Sequence, residues 1–395
     1  MRIGLFTDTY HPQINGLATS VLMLNQYLRA MGHQVFVFTT TDPEAPMSEE
    51  NVYRLPSMPF LAERRMGVFY HPRLARMVRR LDLDLIHTHS EFALGVFGRH
   101  MARELHIPLI HTMHTIYEDY THYLTKGLPL LNPLTKTIAR RITADFCNSA
   151  SHVIAPTAKM KGVLLSYGVR TDITEIPTGI ELERFRPGHF SSDEIREARE
   201  GLGIGPGEKV LLYLGRVAEE KNIQELLFSL KQYLKETAGV KFVLVGDGQD
   251  RQRLEALAED LDMTGNTIFA GAKPWLEIGK YYQIGDVFVN SSQSEAQGLT
   301  YIEAMAAGLP VVAKADECLK GILLDGANGY AFKDQEGLVE ALDKILFDDL
   351  ERERLGRGAR ATADRFSAQE YANRIAGTYG RLLDKARGGE LQKIG

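Results

Sequence analysis

The sequence predicts two doubly wound α/β domains in tandem, with a cleft between them. Three observations carry this. Short apolar, strand-like runs alternate with helical periodicities along nearly the whole chain. Strands joined by helices imply parallel sheets with right-handed crossovers. The alternation pauses once, between Pro187 and Lys209, where Pro, Ser, Gly and charged residues read as a linker with a short helix. The 395 residues suffice for two domains of ordinary size. The expected domains are therefore 1–187 and 188–368.

The first series opens with a strand over Arg2–Thr7 and a loop from Asp8 to Gly16. Leu17, Val21, Leu24, Leu28 and Met31 then recur at three- and four-residue spacing, which predicts a helix with one apolar face. Further strands are expected at Gln34–Thr39, Leu83–His87, Leu109–Thr112, Val153–Pro156 and Ile173–Pro177. The second series gives strands at Val210–Leu214, Phe242–Val245, Ile268–Ala270, Val287–Asn290 and Val311–Ala313. Ile223, Leu226, Leu227, Leu230 and Leu234 mark an amphipathic helix among them. There is no repeat of solenoid period and no low-complexity segment.

Composition narrows the class. Hydrophobic residues make up 44% and charged residues 25%, as in globular proteins. No apolar run approaches the ~18 residues that span a bilayer. The apolar run at the N-terminus is too short for a signal-peptide core. Cys147 and Cys318 form no disulfide framework and lack zinc-type spacing. These features point to a reducing cytoplasm. The net charge of −5 is unevenly shared. Up to Thr171 there are 18 Lys and Arg against 13 Asp and Glu; the remainder has 28 against 38. A basic half on an acidic protein points to an anionic surface or partner for that half. No zinc finger, basic zipper or aromatic-basic signature is present, which argues against nucleic acid.

The most informative stretch is Ser291–Val312. It reads as loop, helix and strand following the strand Val287–Asn290. Gly308 sits where a C-terminal helix glycine belongs, and Pro310 prevents continuation. Open parallel sheets bind ligands beyond the carboxyl ends of their strands. The loop Glu295-Ala296-Gln297-Gly298-Leu299 falls there, with Thr300 in the first helical turn. The unpaired N–H groups of that turn suit an anion. Glu295 and Glu303, with seven residues between them, can accept hydroxyl hydrogen bonds on either side of it. A diphosphate between two polyhydroxylated rings offers that pattern. By themselves the two glutamates are more often ordinary helix-flanking charges.

Other candidates are equally two-sided when taken alone. Gly16 opens a helix, either as a turn glycine or to let phosphate approach the backbone. Arg216 and Lys221 follow the first strand of the second series, as a solvated loop or as cations for a departing diphosphate. His111-Thr112-Met113-His114 follows another strand, with histidines that are either satisfied within the fold or site residues. Tyr117, Glu118 and Asp119 follow, as a polar loop or as groups that orient an acceptor hydroxyl. Arg73, Arg76 and Arg80 share one face of a helical pattern whose other face is Leu74, Met77, Val78 and Leu81. With Lys136, Arg140 and Arg141 they are either solvated charge or a dock for anionic lipid.

The run Ser294–Pro310 resembles the donor-site signature of retaining glycosyltransferases of family 4, which have the GT-B fold. Further matches follow in order across nearly the whole chain. The resemblance implies that Glu295 faces the donor sugar and Glu303 the ribose. It implies that Gly16, Arg216 and Lys221 meet the diphosphate and that His114 lies near the sugar hydroxyls. Gln297, Gly298, Leu299 and Thr300 complete the donor loop, and Gly246 passes near the base. His111–Tyr123, Ile176–Glu181 and Gln297–Tyr301 are similar to bacterial diacylglycerol glucosyltransferases. Many other branches carry Phe-Gly where Gln297-Gly298 stands. The implied reaction moves glucose from UDP-glucose to diacylglycerol with retained configuration, on the inner face of the cell membrane. The nucleotide-sugar is a substrate, and no cofactor or metal is implied. The family usually ends in helices that cross back to the first domain, a role for residues 369–395. A soluble or polyprenyl-linked acceptor, a nucleotide-sugar 2-epimerase and a non-catalytic nucleotide-sugar binder are the competing readings.

Two patterns are set aside. Asp82-Leu83-Asp84 resembles a metal-binding D-x-D but leads into a strand at its amino end. Val245-Gly246-Asp247-Gly248 has Arg251 where a dinucleotide fingerprint has its third glycine.

Overall fold

In the computed structural model the described residues are 1–13, 15–46, 48–59, 65–67, 71–116 and 132–389, without the side chains of 58, 59, 65–67 and 132–134. The chain divides into two units: Met1–Ile180 with Ala368–Gly395, and Glu181–Ser367.

The first unit is built on β1 (Arg2–Phe6), β2 (Gln34–Thr40), β3 (Val52–Leu55), a short antiparallel pair β4 (Ser57–Pro59) and β5 (Arg65–Gly67), then β6 (Leu85–Thr88), β7 (Leu109–Thr112), β8 (His152–Ala155) and β9 (Ile173–Glu175). Its main sheet runs β3-β2-β1-β6-β7-β8-β9, and every adjacent pair is parallel. The strand order reverses between β1 and β6, the position where doubly wound sheets open a crevice at their carboxyl ends. Helices α1 (Gly16–Ala30), α2 (Pro72–Arg80), α3 (Ala93–Leu105), α4 (Asn132–Asn148) and α5 (Ala158–Ser166) cover it. Asn15 starts α1 by accepting the Ala18 N–H at 2.9 Å.

The second unit has β10 (Lys209–Leu214), β11 (Val240–Val245), β12 (Thr267–Gly271), β13 (Val287–Asn290), β14 (Val311–Lys314) and β15 (Gly329–Phe332). They pair in parallel in the order β12-β11-β10-β13-β14-β15. Around them lie α6 (Ser192–Gly201), α7 (Ile223–Glu236), α8 (Arg251–Asp260), α9 (Ile278–Gln283), α10 (Leu299–Ala306), α11 (Gln335–Leu346) and α12 (Asp349–Ala363). The apolar stripe of α7 joins Phe242, Leu244, Val289 and Leu342 in one core. Burying such side chains contributes about 1.5–3 kcal/mol each.

The last helix, α13 (Ala368–Arg387), packs its Tyr371, Ile375 and Tyr379 with Leu5, Leu24 and Val37 of the first unit. Two buried hydroxyls fix it there: Tyr371 stands 3.1 Å from the Ser20 hydroxyl, and Tyr379 stands 2.6 Å from His87 Nδ1.

The boundary differs from the composition-based one. It falls after Ile180, and the Pro187-rich segment lies inside the second unit. The single turn Glu183–Phe185 is tied to α9: Gln283 Nε2 donates to the Phe185 carbonyl at 2.6 Å, and Phe185 meets Tyr282 edge-on. Strands β3 and β15 carry no strand expectation because they are four-residue edges whose short apolar runs are interrupted by Arg54 or shortened by Gly329. The strand expected from Leu83 begins at Leu85. Asp84 instead uses its carboxylate to accept the Arg2 N–H at 2.7 Å, and Asp82 has φ 52°. The D-L-D pattern is thus a turn at the sheet's amino end. Among the described residues no helix is long and apolar enough to cross a membrane.

Candidate active site

The second unit gathers its site from three loops at the carboxyl ends of β10, β11 and β13. The loop before α10 leaves β13 through buried Ser291 and Ser292. Ser291 donates to the Asn222 carbonyl at 2.7 Å and Ser294 to the Glu220 carbonyl at 2.9 Å. These bonds hold the Arg216–Lys221 loop against the Glu295 loop. Lys221 Nζ then lies 2.6 Å from Glu295 Oε1, with both side chains about 15% exposed (15% and 14%). Arg216 pairs with the carboxylate of Glu220. So the expected cations and the expected sugar glutamate share one ion-paired cluster.

Gly298 precedes α10 in the left-handed region, φ 73°. A Cβ there would stand 2.4 Å from the Tyr301 ring, so the turn needs glycine twice over. It aims the first helical turn, with the N–H groups of Leu299 and Thr300, past the loop. Gln297 is buried beside it. Glu303, one turn further on, accepts the hydroxyl of fully buried Tyr282 at 2.6 Å. Burial raises the Glu303 carboxyl above its ordinary range, against the lowering effect of Tyr282 and Arg184. Gly246 has φ 141°, and a Cβ would meet the Gly215 carbonyl oxygen at 1.9 Å. Backbone crowding alone therefore demands glycine at 246. A cavity of about 330 Å³ lies at the opposite end of this sheet, between Asp286, Leu309 and Arg360, where parallel sheets do not carry their ligands.

The first unit's carboxyl end is a cluster of histidines. Strands β6 and β7 carry the same tetrad, Leu-Ile-His-Thr. His87 Nε2 lies 2.7 Å from the Thr112 hydroxyl, and His111 Nδ1 lies 3.0 Å from the Thr88 hydroxyl. His111 is fully buried against Phe146, with Nε2 3.6 Å from Glu91 Oε1. That burial makes His111 a core histidine. His114 is half-buried, and its Nε2 lies 3.0 Å from His89 Nδ1. Desolvation, then nearby His111, pushes its pKa down to about 3; His87 and His89 are lowered well below the ordinary value, chiefly by burial. These imidazoles are neutral at physiological pH.

Asp8, at the carboxyl end of β1, also belongs to this end. It accepts the Ser90 hydroxyl at 2.5 Å and the Leu94 N–H at 3.1 Å, capping α3, which lacks a side-chain cap of its own. Burial raises its pKa to about 6. Gly16 is exposed at the first position of α1. Asp8, His89 and Tyr282 were not singled out in the sequence. The duplicated Leu-Ile-His-Thr tetrad and the strand-end position of Asp8 were the available signals; Tyr282 offered none.

Arg73, Arg76 and Arg80 are exposed on α2, while Leu74, Ala75 and Val78 are buried beneath them. On α4, Arg140 and Arg141 are exposed and Lys136 half-buried. Ile138 and Ile142 are also exposed there, at 49% and 55%. Tyr117, Glu118 and Asp119 lie outside the described residues.

Comparison with known proteins follows the same division. The family model for Glycosyltransferase Family 4 matches residues 14–184, and that for Glycosyl transferases group 1 matches residues 194–362. An alpha-monoglucosyldiacylglycerol synthase of Streptococcus pneumoniae is 40% identical over 88% of this chain and 78% of its own. A second, from Acholeplasma laidlawii, is 33% identical over 98% of both. Among solved structures, Anabaena Alr3699/HepE in complex with UDP and glucose aligns with TM-score 0.77 at 20% identity, covering 96% of this chain and 100% of that one. Sucrose-phosphate synthase from Thermosynechococcus elongatus aligns at 0.76 and 23%, covering 97% and 100%. The chain belongs to glycosyltransferase family 4 and is a hexosyltransferase with the GT-B fold.

Proposed function

We propose that the protein transfers glucose from UDP-glucose to a hydroxyl of diacylglycerol at a membrane surface, retaining the anomeric configuration and using no metal. The observation that carries this reading is the Lys221–Glu295 pair beside the α10 N-terminus. Negative charge builds on the leaving UDP oxygen. Arg216, Lys221 and the N–H groups of Leu299 and Thr300 stabilise it. An ammonium has three protons, and Glu295 takes one of them; the ion pair is therefore compatible with a phosphate contact. Glu295 orients the hexose together with His114. Glu303, held by Tyr282, accepts from the ribose hydroxyls. Gly16 and Gly246 leave room for phosphate and base. Tyr117, Glu118 and Asp119 receive the acceptor end.

The acceptor stays in the bilayer, so the enzyme approaches it from the surface. The exposed Arg73, Arg76 and Arg80, with Arg141, Ile138 and Ile142 on α4, combine cationic and apolar groups suited to an anionic leaflet. The inner face of the cell membrane offers that lipid. The names of the two relatives support the acceptor.

The test is incubation with a panel of nucleotide-sugars, with and without diacylglycerol and with and without a chelator, read by mass spectrometry. Monoglucosyldiacylglycerol from UDP-glucose alone, unaffected by the chelator, is the expected product. A glycosylated soluble acceptor, or an isomerised nucleotide-sugar in the absence of lipid, would overturn the reading.

A further inference from the structure

His89 follows β6 directly and is 1% exposed. Its Nδ1 faces His114 Nε2 at 3.0 Å. Its other nitrogen, Nε2, is buried and has no hydrogen-bond partner among the described residues. The two rings are neutral, so each carries one proton, and one proton must lie between them. Only two arrangements satisfy this. In the first, His114 donates from Nε2, and the His89 proton sits on Nε2 as a buried N–H with no acceptor. In the second, His89 donates from Nδ1, its Nε2 is a bare lone pair, and the His114 proton moves to Nδ1. Either arrangement leaves one buried nitrogen without a partner, but among buried backbone groups orphaned N–H donors are rarer than under-satisfied acceptors, and the same preference applied to the ring favours the bare lone pair. The second arrangement avoids the orphaned donor.

We propose that His89 is a positioning residue that fixes His114 as its Nδ1–H tautomer, so that His114 meets the hexose as a hydrogen-bond donor and not as a base. The functional half of this rests on the assignment of His114 to the donor sugar. The His89 ring has a second support: His87 packs against it at a tilt, with centroids 4.0 Å apart and planes 37° from parallel, and is itself held by Tyr379 and Thr112. His89 thus has little freedom to turn and exchange its nitrogens. The other nitrogen of His114, Nδ1, then carries an N–H, which suits an oxygen lone pair of a sugar hydroxyl. Substrates whose matching position lacks an oxygen gain nothing from it.

The full-length protein labelled with ¹⁵N at histidine tests this by two-bond ¹H–¹⁵N correlation. The expected His114 spectrum has a protonated Nδ1 and an unprotonated Nε2. In His89→Phe that pattern is lost or mixed, and turnover falls roughly tenfold, as for loss of a group that orients an active-site histidine. In His89→Asn, whose amide N–H takes the place of Nδ1–H, pattern and turnover are retained. UDP affinity is unchanged in both. A protonated Nε2 on His114 in the unmodified protein overturns the proposal, as does a His114 spectrum indifferent to His89→Phe in a folded protein. A separate variant, His114→Ala, tests the underlying assignment. Unchanged UDP-glucose turnover in it would remove His114 from the hexose and overturn the functional half, whatever the tautomer.

Discussion

The two units close their carboxyl ends in opposite ways. The second unit places charge there and pairs it: Lys221 with Glu295, Arg216 with Glu220. The first unit buries imidazoles there and keeps them neutral, and its Asp8 is held by a hydroxyl and an N–H rather than by a cation. Its positive charge is moved outward instead, onto the exposed faces of α2 and α4. Under the proposed function, the difference follows what each end would hold. A departing diphosphate needs cations, which a water-poor site makes effective. Sugar hydroxyls need neutral donors and acceptors, and an imidazole that titrated at pH 7 would present a different group on every few encounters. A lipid surface needs charge that is solvated when the enzyme is free and paired when it docks.

The largest expected effect removes a cation from the charged end. Lys221→Ala and Arg216→Ala should each lose ~2–4 kcal/mol of transition-state stabilisation, or about 30- to 10³-fold in kcat, by analogy with removing one preorganised donor. Thermal unfolding of Arg216→Ala should change little, since Arg216 is 40% exposed; Lys221→Ala leaves the largely buried Glu295 without this partner and should unfold at a lower temperature. Near-normal turnover in either folded variant would deny the charged end its role.

The outward charge comes next. Replacing Arg73, Arg76 and Arg80 together with Ser removes up to ~1 kcal/mol each of attraction to anionic lipid. Vesicle sedimentation should show weakened binding at low salt, with the unmodified protein itself released as salt shortens the Debye length. Affinity for soluble UDP-glucose should not move. Equal binding to neutral and anionic vesicles, insensitive to salt, would show that charge does not bring the protein to its acceptor.

The third effect is on stability and concerns the buried acid of the neutral end. The Asp8 pKa is about 6 in the folded protein against 3.8 for an ordinary Asp. The folded state therefore binds this proton more tightly than the unfolded chain. Its stabilising contribution is fully present below pH 3.8 and is lost as pH rises through about 6. Asp8→Asn keeps an oxygen for the Leu94 N–H and offers its own N–H to Ser90 while removing the charge. It should be more stable than the unmodified protein by about 3 kcal/mol at pH 7.5, with the gap closing below pH 4. Calorimetric unfolding across that range checks the sign; a gap that widens on acidification would mean Asp8 is favoured as an anion.

Much of this arrangement was legible in the sequence, for identifiable reasons. Parallel strands buried on both faces read as apolar runs, so β1, β7, β10 and β13 stood out. Edge strands β3 and β15 did not, because one side meets solvent and Arg54 or Gly329 breaks the run. The Glu295 loop was visible because Gly298, Gly308 and Pro310 punctuate it. What sequence spacing could not carry was pairing across elements. Tyr282 reaches Glu303 from a neighbouring helix, and Ser291 and Ser294 clasp a loop about 70 residues upstream. The placement of α13 was implied only by resemblance; its amphipathic pattern fits many surfaces, and only the packing of Tyr371 and Tyr379 identifies which.

The proposed donor site divides its labour between two glutamates on one strand–helix unit. Calorimetric titration of UDP against Glu295→Gln and Glu303→Gln tests it. Ribose is common to UDP and UDP-glucose, so Glu303→Gln should weaken UDP by about tenfold, the worth of a hydrogen bond to a charged group. Glu295→Gln should leave UDP affinity intact while turnover of UDP-glucose falls. If Glu295→Gln loses UDP and Glu303→Gln keeps it, the two roles are reversed and the account of the donor site fails.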